Sequence, residues 1–581
     1  MKSDHLILTD GNAGRQTRAK ANFFERDWSP AWVNFLLQEV GGYTLASLEC
    51  LSPQELSQYH FVYLPFSLAG ALKEEHRPIF RDFVEAGGVL TVEGLVANFL
   101  DPSPVRFGSL EKPLKRITQV HNESCPPELA EILLQMPFRT RGWEVEGRKN
   151  GGEVILEMED RPVLFKHRYG AGCLFVLGFD LGMLLTGLQQ GTPVQGVCRL
   201  KKLFGTQTRV VEPEDLVLKA SLLDNTIPWA DLFERFLFKA LTFDAPAPRW
   251  WYFPHGHTGA VISTHDEEAM GADPRLDEMC QAERERGVHG TVFVISDERL
   301  RERWQRNGRL KTLRKQGMEV GLHWNRFEKW RLKIRRFRFG MHEEPLTRQI
   351  HFLEQELGER VLVNRNHYLA LGHSYGEHFE RLQEHKLWWD STYGPNQGGR
   401  GYLFGTGYPY VGLTGDGELS HVLELPFLTQ ELWGGADLEF LQKLIQESDE
   451  NFHQCIVMNF HPHYSILREE GREAWLGSLE LAQTRKQWIP TLGEFFEFFR
   501  KRTESRLQSQ FQGNKGQAVA EAQGEGLAIS FPSQISSGGK FAGAKVDGQD
   551  TPVHKVRNAW SVEVLIPLQR GRHEIQIVYE G

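Results

Sequence analysis

The sequence predicts an α/β protein in three parts: a distorted (β/α) barrel, an N-terminal flavodoxin-like α/β domain and a small C-terminal β-sandwich. Three observations predict it. Between residues 255 and 503, apolar strand-like runs alternate with segments of helical spacing, and five of the runs end on polar, chemically capable residues. That is the pattern of a barrel whose functional face lies at the C-terminal ends of its strands. Upstream, His60–Pro65, the helical Leu72–Ala86, Gly87-Gly88 and Val89–Val92 form a βαβ unit of an open parallel sheet. Near the C-terminus, short alternating runs are separated by turns.

A chain of 581 residues exceeds a single hydrophobic core. Its expected parts are 1–208 (α/β domain), 209–254 (helical bridge and boundary), 255–503 (barrel), 504–526 (linker) and 527–581 (β-sandwich). Hydrophobic residues at 40%, charged residues at 25% and a net charge of -9 describe an ordinary globular protein with no bulk attraction to nucleic acid. The six cysteines are scattered and form no C-x-x-C pair, which fits reduced thiols. Met1–His5 lacks the apolar core of a signal peptide, and no run is long enough to span a membrane, so a cytoplasmic location is expected.

In the N-terminal domain, Tyr169–Asp180 reads as a closing strand of the same sheet. The segment resembles the class I glutamine-amidotransferase-like fold found as an accessory domain in carbohydrate-active enzymes. That activity needs a cysteine on a sharp Gly-flanked turn, which follows neither Leu64-Pro65 nor Val92-Glu93. Cys173 lies within a strand-like run and reads as a packed thiol. A non-catalytic docking or assembly role is the expectation. Trp229, Leu232, Phe233, Phe236, Leu237 and Leu241 place a helix in the bridge, and the Pro- and aromatic-rich Ala245–Pro254 marks its end.

The barrel opens with Ala260-Val-Ile, which stops at Ser263-Thr-His and delivers Asp266, Glu267 and Glu268. Three carboxylates at a strand end need a cation or a chemical task. Further strand-like runs end on His323, on Asn364–Tyr368, on Asp390, and on His461 and His463; the helices between them are Leu276–Arg286, Leu310–Gln316, Leu346–Leu357, Gly376–His385 and Asp437–Asn451.

In that order these endings resemble the polysaccharide deacetylases of the NodB-homology family over residues 255 to 500. Thr264-His-Asp-Glu267, or its variant ending at Glu268, stands for the first motif, and Glu319-Val-Gly-Leu-His323 for the second. Arg365-Asn-His-Tyr368 stands for the third, Trp388-Trp-Asp390 for the fourth and His461 for the fifth. The resemblance implies a metal-dependent hydrolase that removes an N-acetyl group from an N-acetylhexosamine-containing glycan or precursor. It implies Asp266 as general base, His461 as general acid, Arg365 and Asp390 as groups orienting Asp266 and a histidine, and the Tyr368 backbone N–H facing the oxyanion. It also implies a divalent metal, zinc being the commonest such ion, held by His323 and by Glu267 or Glu268. The family's second motif carries another histidine four residues on, where this chain has Phe327; His367 is the expected replacement ligand. Trp324, Trp388, Trp389 and His463 are candidate sugar-contacting residues. The alternative reading is a catalytically inactive sugar-binding or scaffold protein of polysaccharide synthesis; a glycosidase or another C–N hydrolase is a third. Expected partners are a carbohydrate and either a second copy of the chain or a polysaccharide-synthesis protein, with no nucleic acid.

Arg299–Arg338 is basic and interleaved with aromatics, either a patch for an anionic polymer, lipid head groups or a protein, or a solvated insertion packing on the barrel. Arg500–Gly526 has no periodicity and reads as a linker. Beyond it Leu527–Phe531, Lys540–Val546, Ala559–Ile566 and Gly571–Tyr579 read as strands of a sandwich too small to stand alone, leaning on the barrel.

Overall fold

The computed structural model describes residues 3–10, 26–121, 125–148, 152–192, 200–203, 206–209, 211–217, 225–268, 274–296, 298–325, 327–328, 342–343, 345–372, 374–396, 399–431, 437–558 and 561–581. The aromatic-basic core of the Arg299–Arg338 segment, Trp330 to Phe339, lies outside them. The chain forms two compact units: Met1–Gln189 with Trp229–Gly256 and Phe498–Gly581, and Gln190–Pro228 with His257–Glu497. Among the described residues no helix is long and apolar enough to cross a membrane.

In the first unit an eight-stranded sheet runs Thr44–Ser47, His5–Thr9, Phe61–Leu64, Val89–Glu93, Gly172–Leu177, Arg161–Tyr169, Glu153–Met158, Ile117–Val120. Its first five strands are parallel and the remainder form an antiparallel meander. The expected βαβ unit is present, with His76–Glu85 as its crossover helix. Cys173 is buried, and burial pushes its thiol up to about 12, which fits a packing residue.

Besides the antiparallel pair Val105–Leu114 and Thr140–Arg148, two larger antiparallel sheets complete this unit, and they correct two expectations. Residues 504–526 are not a linker: Arg506–Gln512 and Lys515–Ala522 are paired strands, joined to Gly571–Glu580 and Lys540–Val546. The second sheet borrows Arg249–Trp250, which pairs with Ala528–Pro532. These strands belong to the compact unit of the N-terminal domain and not to that of the barrel, where the sequence groups them. Asp4 N–H donates to Leu507 O at 3.1 Å, and the Asp4 carboxylate accepts from Ser509 N and Oγ at 2.6 and 2.8 Å. Arg502, fully buried, donates to the carbonyls of Leu37, Gln38, Trp250 and Trp251, so its charge disperses over four carbonyls of two segments.

The second unit is built on a nine-stranded sheet: Tyr410–Leu413, Leu419–Glu424, Trp389–Asp390, Val363–Asn366, Glu319–Trp324, Thr291–Val294, Ala260–Glu267, Cys455–Asn459, Thr429–Gln430. Every pairing is parallel except that of the Tyr410–Leu413 edge. The sheet is thus barrel-like but open, because its two outer strands do not pair among the described residues. All eight residues of Ala260–Glu267 and all five of Cys455–Asn459 are buried, as strands covered on both faces require. Helices Pro274–Glu285, Arg309–Lys315, Leu346–Leu357, Glu377–Glu384 and Leu438–Glu447 alternate with the strands. Gly358, at φ 72°, ends the third of these, and the Asp437 carboxylate caps the last through Phe440 N at 2.8 Å.

Candidate metal and catalytic site

Residue alternation along a strand decides which side chains meet. Asp266 and Glu268 sit two apart at the end of Ala260–Glu267, and His323 sits two beyond Gly321, the glycine of the second motif. A Cβ on Gly321 would lie 2.7 Å from the Phe293 ring, so the missing side chain makes room for that ring. Phe293 in turn packs 4.5 Å from the Arg365 guanidinium, with Phe427 at 4.7 Å on it as well.

Arg365 is fully buried. It donates to Ser391 O at 2.7 Å, Ser391 Oγ at 3.0 Å, Thr264 Oγ1 at 2.8 Å and Asp266 Oδ1 at 3.1 Å. Asn459 Nδ2 donates to the other oxygen, Asp266 Oδ2, at 2.8 Å. Burial works to raise the Asp266 pKa, but Arg365, His323, His461 and Asn459 outweigh it and hold the carboxyl below its ordinary value. Asp266 is thus an ionised, doubly anchored carboxylate.

His323 and His367 both present Nε2 towards Glu268. His323 Nδ1 lies 3.0 Å from Arg365 O, and a carbonyl there can only accept, so Nδ1 carries a proton and Nε2 is left facing Glu268. His367 Nδ1 lies 3.2 Å from Asn325 Oδ1, which places a proton on that nitrogen too. Glu268 Oε1 is 3.2 Å from His367 Nε2 and 3.8 Å from His323 Nε2. One atom from each of the three lies within 4.8 Å of the others, a spacing that suits a single metal ion. His323 Nε2 is buried with no hydrogen-bond partner among the described residues, as a ligand nitrogen would be. Burial opposes ionisation of Glu268, yet the neighbouring His323, His367 and His461 hold its carboxyl well below the usual range.

His461 is anchored from the other side. Its backbone N–H and Nδ1 both engage Glu431 Oε1, at 3.0 and 2.9 Å, while Nε2 stands 3.9 Å from Asp266 Oδ2 and 3.8 Å from Glu268 Oε1. Burial alone would lower its pKa; Glu431, Asp266 and Glu268 raise it to about 10, so the ring is protonated at neutral pH. A small cavity of about 150 Å³ lies here, lined by Asp266, Glu267, Glu268, His461, Pro462, His463 and Tyr464.

The structure therefore brings together Asp266, Glu268, His323, Arg365, His367 and His461. Tyr368 adjoins them, half-exposed at φ 57° with its ring stacked 3.9 Å from that of His367. Glu267 is buried on the cavity wall, outside the three-ligand group, and His463 lies 3.1 Å from Arg275 Nη1.

Four expected residues fall elsewhere. Asp390 does not orient His461: its carboxylate meets His378 Nε2 at 2.6 Å, Asn364 Nδ2 at 2.7 Å and Thr392 Oγ1 at 3.0 Å. Sheet register is the reason, since Asp390 shares a row with Asn364 and Glu424, one step out of the His323–Arg365 row, and faces the Glu377–Glu384 helix. Trp324 is 1% exposed and Trp389 stacks on Phe496 at 5.5 Å, so both are packing residues, and Trp388 meets His421 at 6.1 Å, away from the cavity lining. Glu431, Asn459 and Asn325 are not picked out by motif order, although Glu431 and Asn459 also stand at strand ends.

No family model matches the chain, and no curated protein matches it. Among solved structures, about 40% of the chain is similar to CE4 polysaccharide deacetylases. A mutant CE4 family pseudoenzyme with restored enzymatic activity is 13% identical over 42% of this chain and 68% of its own, with a TM-score of 0.25. A point mutant of peptidoglycan deacetylase PdaC from Bacillus subtilis is 12% identical over 42% and 93%, TM-score 0.25. The catalytic domain of peptidoglycan N-acetylglucosamine deacetylase from Eubacterium rectale is 12% identical over 41% and 90%, TM-score 0.25.

Proposed function

We propose that this protein is a metal-dependent amide hydrolase that removes an N-acetyl group from an N-acetylhexosamine-containing glycan or glycan precursor. The observation that carries the reading is the opposition of an anchored carboxylate, Asp266, and the Glu431-anchored imidazole of His461, 3.9 Å apart beside three convergent ligand atoms. Glu268, His323 and His367 would hold a divalent cation, with zinc the commonest ion for such donors. When bound, the cation supplies Lewis-acid polarisation of the acyl oxygen. Asp266, ionised and steadied by Arg365 and Asn459, accepts a proton from the attacking water. His461, kept protonated by Glu431, gives its Nε2 proton to the departing amine nitrogen. The Tyr368 backbone N–H is assigned to the developing oxyanion. Glu431 takes the orienting role that the family resemblance gives to Asp390.

The competing reading, a sugar-binding or scaffold protein without activity, is favoured by Phe327 at the position of the expected second histidine. Zinc-loaded full chain incubated with chitooligosaccharides, with acetate measured, separates the two. The hydrolase releases acetate, and Asp266→Asn abolishes release while retaining zinc. Failure to bind zinc, or zinc bound without acetate from any N-acetylhexosamine oligomer, would sink it.

A further inference from the structure

A second cavity, larger than the one at the histidine cluster, lies in the first unit. It has a volume of about 680 Å³ and lies between the end of the Trp229–Thr242 helix, the segment leading to Arg249, the stretch after Pro532 and the start of the Ser561–Pro567 strand. Four charged side chains line it, and two of them neutralise each other. Arg249 Nη2 meets Glu563 Oε1 at 2.5 Å and its Nη1 meets Glu39 Oε2 at 2.5 Å, while Ser530 Oγ donates to the second Glu563 oxygen. The other two, Lys239 and Arg557, make no hydrogen bond or ion pair with any described residue.

Lys239 is half-buried at the cavity wall, close enough to Glu563 to feel its charge but with no hydrogen bond to it. Burial depresses the Lys239 amine to about 8, against the opposing pull of Glu563, so it still carries charge at neutral pH. The remainder of the lining is of two kinds. Hydroxyls of Ser533, Ser536 and Ser561 can meet sugar hydroxyls, and the Phe243 ring and Pro532 give apolar faces of the sort on which pyranose rings pack. One half-buried cation and one exposed cation, neither hydrogen-bonded, match a monoanion, and Lys239 sits in the last turn of its helix, where the partial negative charge of the terminal carbonyls disfavours a phosphate dianion.

We propose that this cavity is a binding site for a sugar acid, a hydroxyl-rich monocarboxylate of one or two rings, whose carboxylate pairs with Lys239 and Arg557. The site is independent of the histidine cluster and does not depend on the activity proposed there.

Isothermal titration of the full chain with D-glucuronate and digalacturonate, using D-glucose and inorganic phosphate as controls, tests it. The uronates bind and glucose does not; Lys239→Gln weakens uronate binding about tenfold or more, as loss of a charge-assisted bond should, and Arg557→Gln weakens it by a smaller factor. Asp266→Asn leaves it unchanged, which keeps this site's failure distinct from that of the hydrolase reading. Lys239→Gln removes a half-buried charge that makes no hydrogen bond and should fold; Arg557→Gln, at an exposed position, provides the second reading if it does not. Absence of uronate binding at about 1 mM, phosphate binding as tight as uronate, or affinities unchanged in both variants would overturn the proposal.

Discussion

Replacing Asn325 by leucine tests whether His367 is a metal ligand without touching any ligand atom. The Asn325 side chain accepts the His367 Nδ1 proton at 3.2 Å, which commits the ring to the tautomer whose Nε2 lone pair faces Glu268. The backbone at Asn325 is held separately. Its N–H donates to Gln349 Oε1 at 3.1 Å and its carbonyl accepts from Gln349 Nε2 at 2.8 Å, so the substitution leaves the loop's anchor intact. Loss of such an outer partner costs about 10- to 100-fold in metal affinity, roughly 1.4–2.7 kcal/mol. Competition of the full chain against a chromophoric chelator at neutral pH would measure it. His367→Ala and His323→Ala should weaken zinc further still, because each deletes a ligand. An Asn325→Leu protein with wild-type zinc affinity would refute the tautomer argument, and wild-type affinity in both histidine variants would refute ligation itself.

Glu431→Gln removes the charge that keeps His461 protonated and should cut acetate release by about 100-fold with zinc affinity unchanged; equal activity would detach Glu431 from the chemistry. Arg365→Met strands Asp266 and the Ser391 carbonyl in the interior and should destabilise the protein by about 3–5 kcal/mol, read as a lower urea midpoint; a shift under about 1 kcal/mol would contradict the packing described. Glu563 tests the first unit through pH. Burial raises its pKa, but Arg249 and Lys239 outweigh that and hold the carboxyl at about 2 against an ordinary 4.5. Its contribution, roughly 3 kcal/mol, is therefore complete above pH 4.5 and lost as pH falls towards 2. Glu563→Gln should be less stable than the wild type at pH 7 and converge with it near pH 2, and a stability gap independent of pH would contradict the pairing.

The barrel-like unit is legible in the sequence because strands buried on both faces must be continuous apolar runs, and such runs end abruptly where polar groups begin. Cys455-Ile-Val-Met gives way to Asn459 at the strand end, and the Leu346–Leu357 helix has the bounds its sequence predicts. The strands in 506–522 are not legible for a related reason. Lys515–Ala522 alternates as a half-buried strand should, but its buried positions are Gly516, Ala518, Ala520 and Ala522, which carry too little apolar surface to stand out from a linker. Tyr410–Leu413 and Leu419–Glu424 are hidden differently: they are short, and they lie in a stretch rich in glycine and polar residues.

The candidate site divides along the same line. Strand-end residues could be picked out one by one, but which of them face each other is set by register between strands distant in sequence, and a one-step offset reverses the face. Asp390 stands one row from Arg365 and so belongs to His378 and Glu424, a buried group in which burial and Asp390 raise the Glu424 pKa. Glu431, on the far side of the sheet from Asp390 and adjacent to Cys455–Asn459, reaches His461 because Thr429–Gln430 pairs in parallel with that strand, bringing residue 431 level with the histidine's approach. Glu431 thus holds the contact with a site histidine that order along the chain assigned to Asp390. An Asp390→Asn substitution should accordingly lower stability without changing the zinc affinity, whereas Glu431→Gln should lower activity and spare stability, and this contrast is what register, and not motif order, requires.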